Sequence, residues 1–187
     1  MSSTLDLVAT LAAVGQFFVV AATALAAIVQ LRHLRASNEL TALLSVDRDF
    51  HEEALQRALR YVQFELGARM QDAAYRRELS KIGFVDARAH PEMEALNWFN
   101  RIGALVKNGL VDERTFLDLF SRLTVHYWQL LEPSIALLRR ERGAMQYENF
   151  EYIARRARDW IGNHPGGTYP RRTPRLAVED PWLDTDG

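Results

Sequence analysis

The chain has 187 residues, with 23 Lys and Arg against 24 Asp and Glu and a formal net charge of −1 at pH 7. That balance argues against a general nucleic-acid binder, because a phosphate backbone selects a basic surface. The absence of cysteine excludes disulfides, thiolate metal sites and a cysteine nucleophile.

Residues 7–31, LVATLAAVGQFFVVAATALAAIVQL, carry no formal charge. As a helix this stretch reaches about 37 Å, enough for a hydrocarbon core about 30 Å thick. A cleaved signal would bring a basic leading segment and a shorter apolar run. A buried core helix would be shorter and more amphipathic. The expectation is one transmembrane helix. Only Asp6 is charged before it, whereas Arg32 and Arg35 follow at once. Positive charge stays on the cytoplasmic side. This places residues 1–6 outside, residues 32–161 as a cytoplasmic helical domain and residues 162–187 as a mobile tail. Arg32 and Arg35 are the candidates for lipid headgroup contact.

Within the span, Ala9, Gln16, Thr23 and Gln30 recur every seven residues. Small and hydrogen-bonding residues on one stripe are how membrane helices pack against each other. Self-association or pairing with a partner membrane protein is expected along that stripe, in addition to the lipid bilayer itself.

Beyond the span the pattern is helical throughout, and the fold class expected is all-α, with a bundle of about five helices. The anchor helix is predicted to run on to about Leu44, with a new start at Ser45 or Asp47 and a capping box at Asp49 and Glu52. Phe50, Ala54, Ala58, Val62 and Leu66 then form a stripe that Gly67 ends. A helix at about 69–82, a loop at 83–90 and a helix at about 91–108 follow, with Pro91 in the first turn of the last. Gly109 closes that helix and Asp112 caps the next. Pro133 predicts a kink or restart, and Gly143 a stop. The last helix is predicted at about 145–161. Four prolines and four glycines follow in residues 162–187, where Trp182 is an isolated aromatic among acids.

Chemical motifs are sparse. His51-Glu52-Glu53 lacks the second histidine four residues on, since position 55 is Leu, and so fails as a zinc motif. His33, His51, His90, His126 and His164 share no ligand spacing. There is no phosphate loop and no nucleophile elbow. Asn97 and Asn100 set amides beside Trp98 and Phe99, as buried amides or a solvent-facing edge. Arg139, Arg140 and Arg142, like Arg155, Arg156 and Arg158, read as solvated faces that complement helix C-termini. No cofactor or metal is expected.

The stretches WFNRIGALVKNGLVDERTFLDLF (98–120), HYW (126–128), LLRRERG (137–143) and YENFEYIARRA (147–157) resemble the bacterial domain-of-unknown-function family 4760. Phe99, Gly103, Gly109, Leu110, Asp112, Trp128, Arg142, Phe150 and Glu151 carry the resemblance. It implies one N-terminal span followed by a cytoplasmic helical domain, and no activity. Together these readings favour a single-pass, membrane-tethered interaction or scaffold module at a bacterial inner membrane. The rivals are a surface enzyme that brings dispersed residues such as His126, Glu132 and Arg142 into one pocket, and a subunit of a larger membrane complex.

Overall fold

The computed structural model describes residues 2–81, 85–86 and 88–179, with side chains for residues 15–33 and from 41 onward. It is all-helical: α1 (Ser2–Phe50), α2 (Glu53–Phe64), α3 (Leu66–Arg69), α4 (Ala73–Leu79), α5 (Glu92–Lys107), α6 (Glu113–Arg142) and α7 (Glu148–Asn163).

α1 is one uninterrupted helix of 49 residues, about 74 Å long. Its Gly15–His33 segment is long and apolar enough to cross a membrane, and none of it is buried. The predicted restart at Ser45 or Asp47 does not occur. Leu43, Val46 and Phe50 lie on one face and pack on the bundle, with Val46 only 1% exposed. Packing of that face sustains the helix past residues that would otherwise cap a new one. The predicted capping box is absent as well. Asp49 lies inside α1 and pairs with Arg101 at 3.3 Å. Glu52 is the N-cap of α2 without a side-chain bond. The carbonyl of Phe50 is met instead by Gln56 Nε2 at 2.6 Å.

The bundle comprises α2–α7. α7 packs against both α5 and α6, and α2 packs against α5. Three sequence expectations shift here. The break after α2 falls at Glu65 rather than Gly67, because Leu66 turns into the core at 1% exposure and Gly67 continues as part of α3. The helix predicted from about 69 begins only at Ala73, where the Asp72 carboxylate accepts from the Ala74 N–H at 2.8 Å. It ends at Leu79, short of the predicted Ile82; Ile82 itself and part of the 83–90 loop lie outside the described residues. α6 runs through Pro133 without a restart. Pro133 and Gln129, whose carbonyl loses its usual partner, are both exposed. Leu131, Ile135 and Leu138 are buried on the opposite side and hold the two halves in register.

Local punctuation otherwise follows the sequence. Gly109 takes φ +68 after α5, and Gly143 takes φ +98 after α6. Asp112 caps α6 by accepting from the Thr115 N–H at 2.8 Å and the Thr115 hydroxyl at 2.6 Å. α7 starts three residues later than predicted. Tyr147 precedes it in a left-handed conformation, φ 59, with its ring buried.

Candidate functional site

Among the described residues, two places carry chemistry beyond ordinary packing. The first is the uncovered face of α1. Gln16, Thr23 and Gln30 are all exposed there. Thr23 Oγ1 donates to the Val19 carbonyl at 2.8 Å, so its hydroxyl is satisfied within the helix. The side chain of Ala9 lies outside the described residues. Arg32 is exposed at the end of the apolar segment. Arg35 lies outside the described side chains, and Trp182 outside the described residues.

The second is a buried polar chain under a groove between α2 and the start of α5. His90 and Glu92 are both fully buried. His90 Nδ1 lies 3.1 Å from Glu92 Oε1, and the Tyr75 hydroxyl donates to the same oxygen at 2.6 Å. Tyr61 continues the chain, with its hydroxyl 2.9 Å from that of Tyr75. Burial, followed by the hydrogen bonds to Glu92 and Tyr61, holds the Tyr75 hydroxyl far above its usual range, so it keeps its proton. Glu92 Oε2 and His90 Nε2 are buried with no hydrogen-bond partner. Glu78 Oε2 stands 3.9 Å from that nitrogen. The Tyr75 ring is covered on one side by His90, centroids 4.4 Å apart, and approached by the Arg69 guanidinium at 5.0 Å.

Tyr61 also lines the overlying open groove, of about 670 Å³. Its apolar lining is Ala54, Ala58 and Pro91, and its charged lining is Arg57, Arg60, Arg88, Glu65 and Glu94. Sequence reasoning missed this constellation. His90 and Glu92 flank a proline that looks like an ordinary helix start, and Tyr61 and Tyr75 come from other helices. No periodic pattern links them.

The residues behind the family resemblance have structural roles. Phe99 stacks on Phe150 with centroids 4.5 Å apart, and Trp128 meets Phe150 edge-on at 5.0 Å. A Cβ at Gly103 would stand 2.0 Å from the Asn149 carbonyl oxygen, so glycine is what lets α5 and α7 cross so closely. Arg142 Nη2 donates to the Lys81 carbonyl at 2.6 Å and ties the end of α6 to the segment after α4. Leu110 is exposed, and Glu151 pairs with Arg139 at 2.7 Å. The two amides are used as well. Asn97 accepts from the Tyr147 hydroxyl at 3.3 Å, and Asn100 from the Phe150 N–H at 3.3 Å.

The dispersed trio does not converge. His126 bonds Gln63, Glu132 lines a separate groove with Trp128 and Arg158, and Arg142 binds backbone carbonyls. Among the described residues no group of three or more His, Asp or Glu could hold a metal ion.

The profile of the domain of unknown function DUF4760 matches residues 17–157. The chain belongs to the DUF4760 family. The match takes in most of the exposed apolar segment of α1 and the bundle to within a few residues of its end. No curated protein and no solved structure matches this DUF4760 chain.

Proposed function

We propose that this DUF4760 protein is a single-pass, membrane-tethered helical interaction module at a bacterial inner membrane, with its N-terminal segment outside and the bundle in the cytoplasm. The reading rests on one observation. The bundle closes its own core, yet the Gly15–His33 segment of α1 is left wholly uncovered. Phe17, Phe18, Val19, Val20 and Leu25 each remain more than half exposed. A contiguous apolar surface of that extent calls for a nonaqueous covering, and its length matches a hydrocarbon core. The charge asymmetry of Asp6 before it and Arg32 after it favours the stated orientation. Tethering raises the effective concentration of the bundle near the membrane, where weak partners then suffice. Gln16 and Gln30 mark the face for pairing with a second span. The reading assigns no catalytic chemistry.

The test is alkaline extraction of membranes from cells expressing the full chain, combined with reporters fused after Gly187. The expected result is a protein that stays in the pellet, carries its full N-terminus by mass spectrometry, and supports fluorescence but no phosphatase activity from the fusions. Release into the supernatant, or loss of the apolar segment by cleavage, overturns the tether. An active phosphatase fusion overturns the orientation. Single cysteines at Gln16 and Thr23, in a chain that has none of its own, report self-pairing by disulfide formation. A foreign protein cross-linked in equal amount instead makes the chain a subunit of that partner's complex.

A further inference from the structure

The groove above the buried chain has an unusual charge arrangement. Arg57 in its lining is already paired with Glu53. Among the described residues Arg60 and Arg88 have no ion-pair partner, and neither do Glu65 and Glu94. Two cationic and two anionic groups thus stand open in a groove whose apolar lining is Ala54, Ala58 and Pro91. The open charges sum to zero, so an ion of one sign gains from one pair and is repelled by the other. A ligand carrying both signs gains from both.

The hydrogen bonds below fix the direction of Tyr61. Tyr75 spends its one proton on Glu92 Oε1, so in the contact between the two tyrosines Tyr61 donates and Tyr75 accepts. The Tyr61 oxygen therefore offers the groove lone pairs only. A donor on the ligand complements it there. Guanidinium groups fit phosphate oxygens through paired N–H donors, and an ammonium supplies the donor that Tyr61, Glu65 and Glu94 accept. The groove volume of about 670 Å³ falls within the range of small-ligand sites.

We propose that this groove binds a small zwitterion bearing a phosphate and an ammonium, the phosphate held by Arg60 and Arg88 and the ammonium by Glu65, Glu94 and the Tyr61 oxygen. The ligand is either a lipid headgroup or a soluble phosphate ester of the same chemistry. The site stands on the bundle alone, so failure of membrane insertion would leave it untouched.

The experiment is isothermal titration of the full chain in detergent micelles, with O-phosphoethanolamine in one arm and dihexanoyl phosphatidylethanolamine in the other. Saturable binding is expected in at least one arm, and the tighter arm identifies the source. R60Q and R88Q should each weaken it about tenfold, the size of one charge-assisted hydrogen bond. Y61F should weaken the zwitterion and leave inorganic phosphate unchanged. R155Q, on α7 and outside the groove, should bind as the parent does. The two arginines are exposed, so unchanged melting curves verify that the variants fold. The proposal is overturned by absence of saturable binding in both arms, by parental affinity in both R60Q and R88Q, or by inorganic phosphate binding as tightly as the zwitterion.

Discussion

Phe17 and Phe18 meet edge-on with centroids 6.0 Å apart and remain 70% and 66% exposed. Phe99 and Phe150 stack at 4.5 Å and are fully buried. The two pairs share side-chain chemistry and differ in what surrounds them. In the bundle, each helix keeps a polar side and turns one stripe inward, so the chain covers its own apolar surface. In the Gly15–His33 segment of α1 apolar residues stand exposed all along the helix, and no other helix of the bundle covers them. Hydropathy reports that covering is needed, and only its angular distribution reports whether the chain can supply it.

Mutations should separate the two regions. The largest effect belongs to the buried pair. Phe150→Ala should cost about 3–5 kcal/mol of bundle stability in chemical denaturation. Phe17→Ala should leave the same midpoint within about 0.5 kcal/mol. If Phe17→Ala destabilised the bundle as strongly, the two regions would be coupled and the contrast would fail. A charge in the exposed segment acts in the opposite sense. Val20→Arg should weaken insertion by about 3 kcal/mol and shift protein from the membrane pellet to the supernatant, with the bundle's helical circular dichroism unchanged.

Gly103→Ala comes next, at about 1–3 kcal/mol or beyond. The added methyl meets the Asn149 backbone carbonyl, which cannot rotate away as a side chain could. Its signature is a lower melting temperature without loss of membrane association. Asp112→Ala should cost about 1 kcal/mol by removing the α6 cap. The smallest effect is acid sensitivity. The hydrogen bonds from the Thr115 hydroxyl and N–H hold Asp112 below its ordinary range, and the hydrogen bond from Arg156 does so for Glu113. A carboxyl lowered in the folded state contributes stability above its unfolded value, and that contribution is lost as pH falls through the folded value. Melting temperature should therefore hold at neutral pH and drop below about pH 4.5, the unfolded value for Glu113. Asp112→Asn and Glu113→Gln should each flatten that drop.

Local chemistry was the most legible part of the sequence. Charge-free length marks residues 7–31, and the Asp112 cap and the stops at Gly109 and Gly143 each depend on a few neighbouring atoms. Signals that compete with packing were misleading. Ser45 and Asp47 could cap a helix, but the face of Leu43, Val46 and Phe50 keeps α1 intact. Pro133 could break one, but its ring lies on the wet side of a helix anchored by Leu131 and Ile135. Gly67 could end α2, but Leu66 turns inward first. The Tyr61–Tyr75–Glu92–His90 chain was not legible at all. Its members come from α2, α4, the segment before α5 and the first turn of α5, and only the tertiary fold brings them together.

Because α1 is continuous from the apolar segment into the face that carries Val46 and Phe50, it behaves as a drive shaft rather than a leash. Turning the segment about its long axis turns the bundle through the same angle, and one residue added between His33 and Thr41 would swing the bundle by about 100° and lift it about 1.5 Å. The compass bearing of the α2–α5 groove is therefore written into the residue count of the stalk.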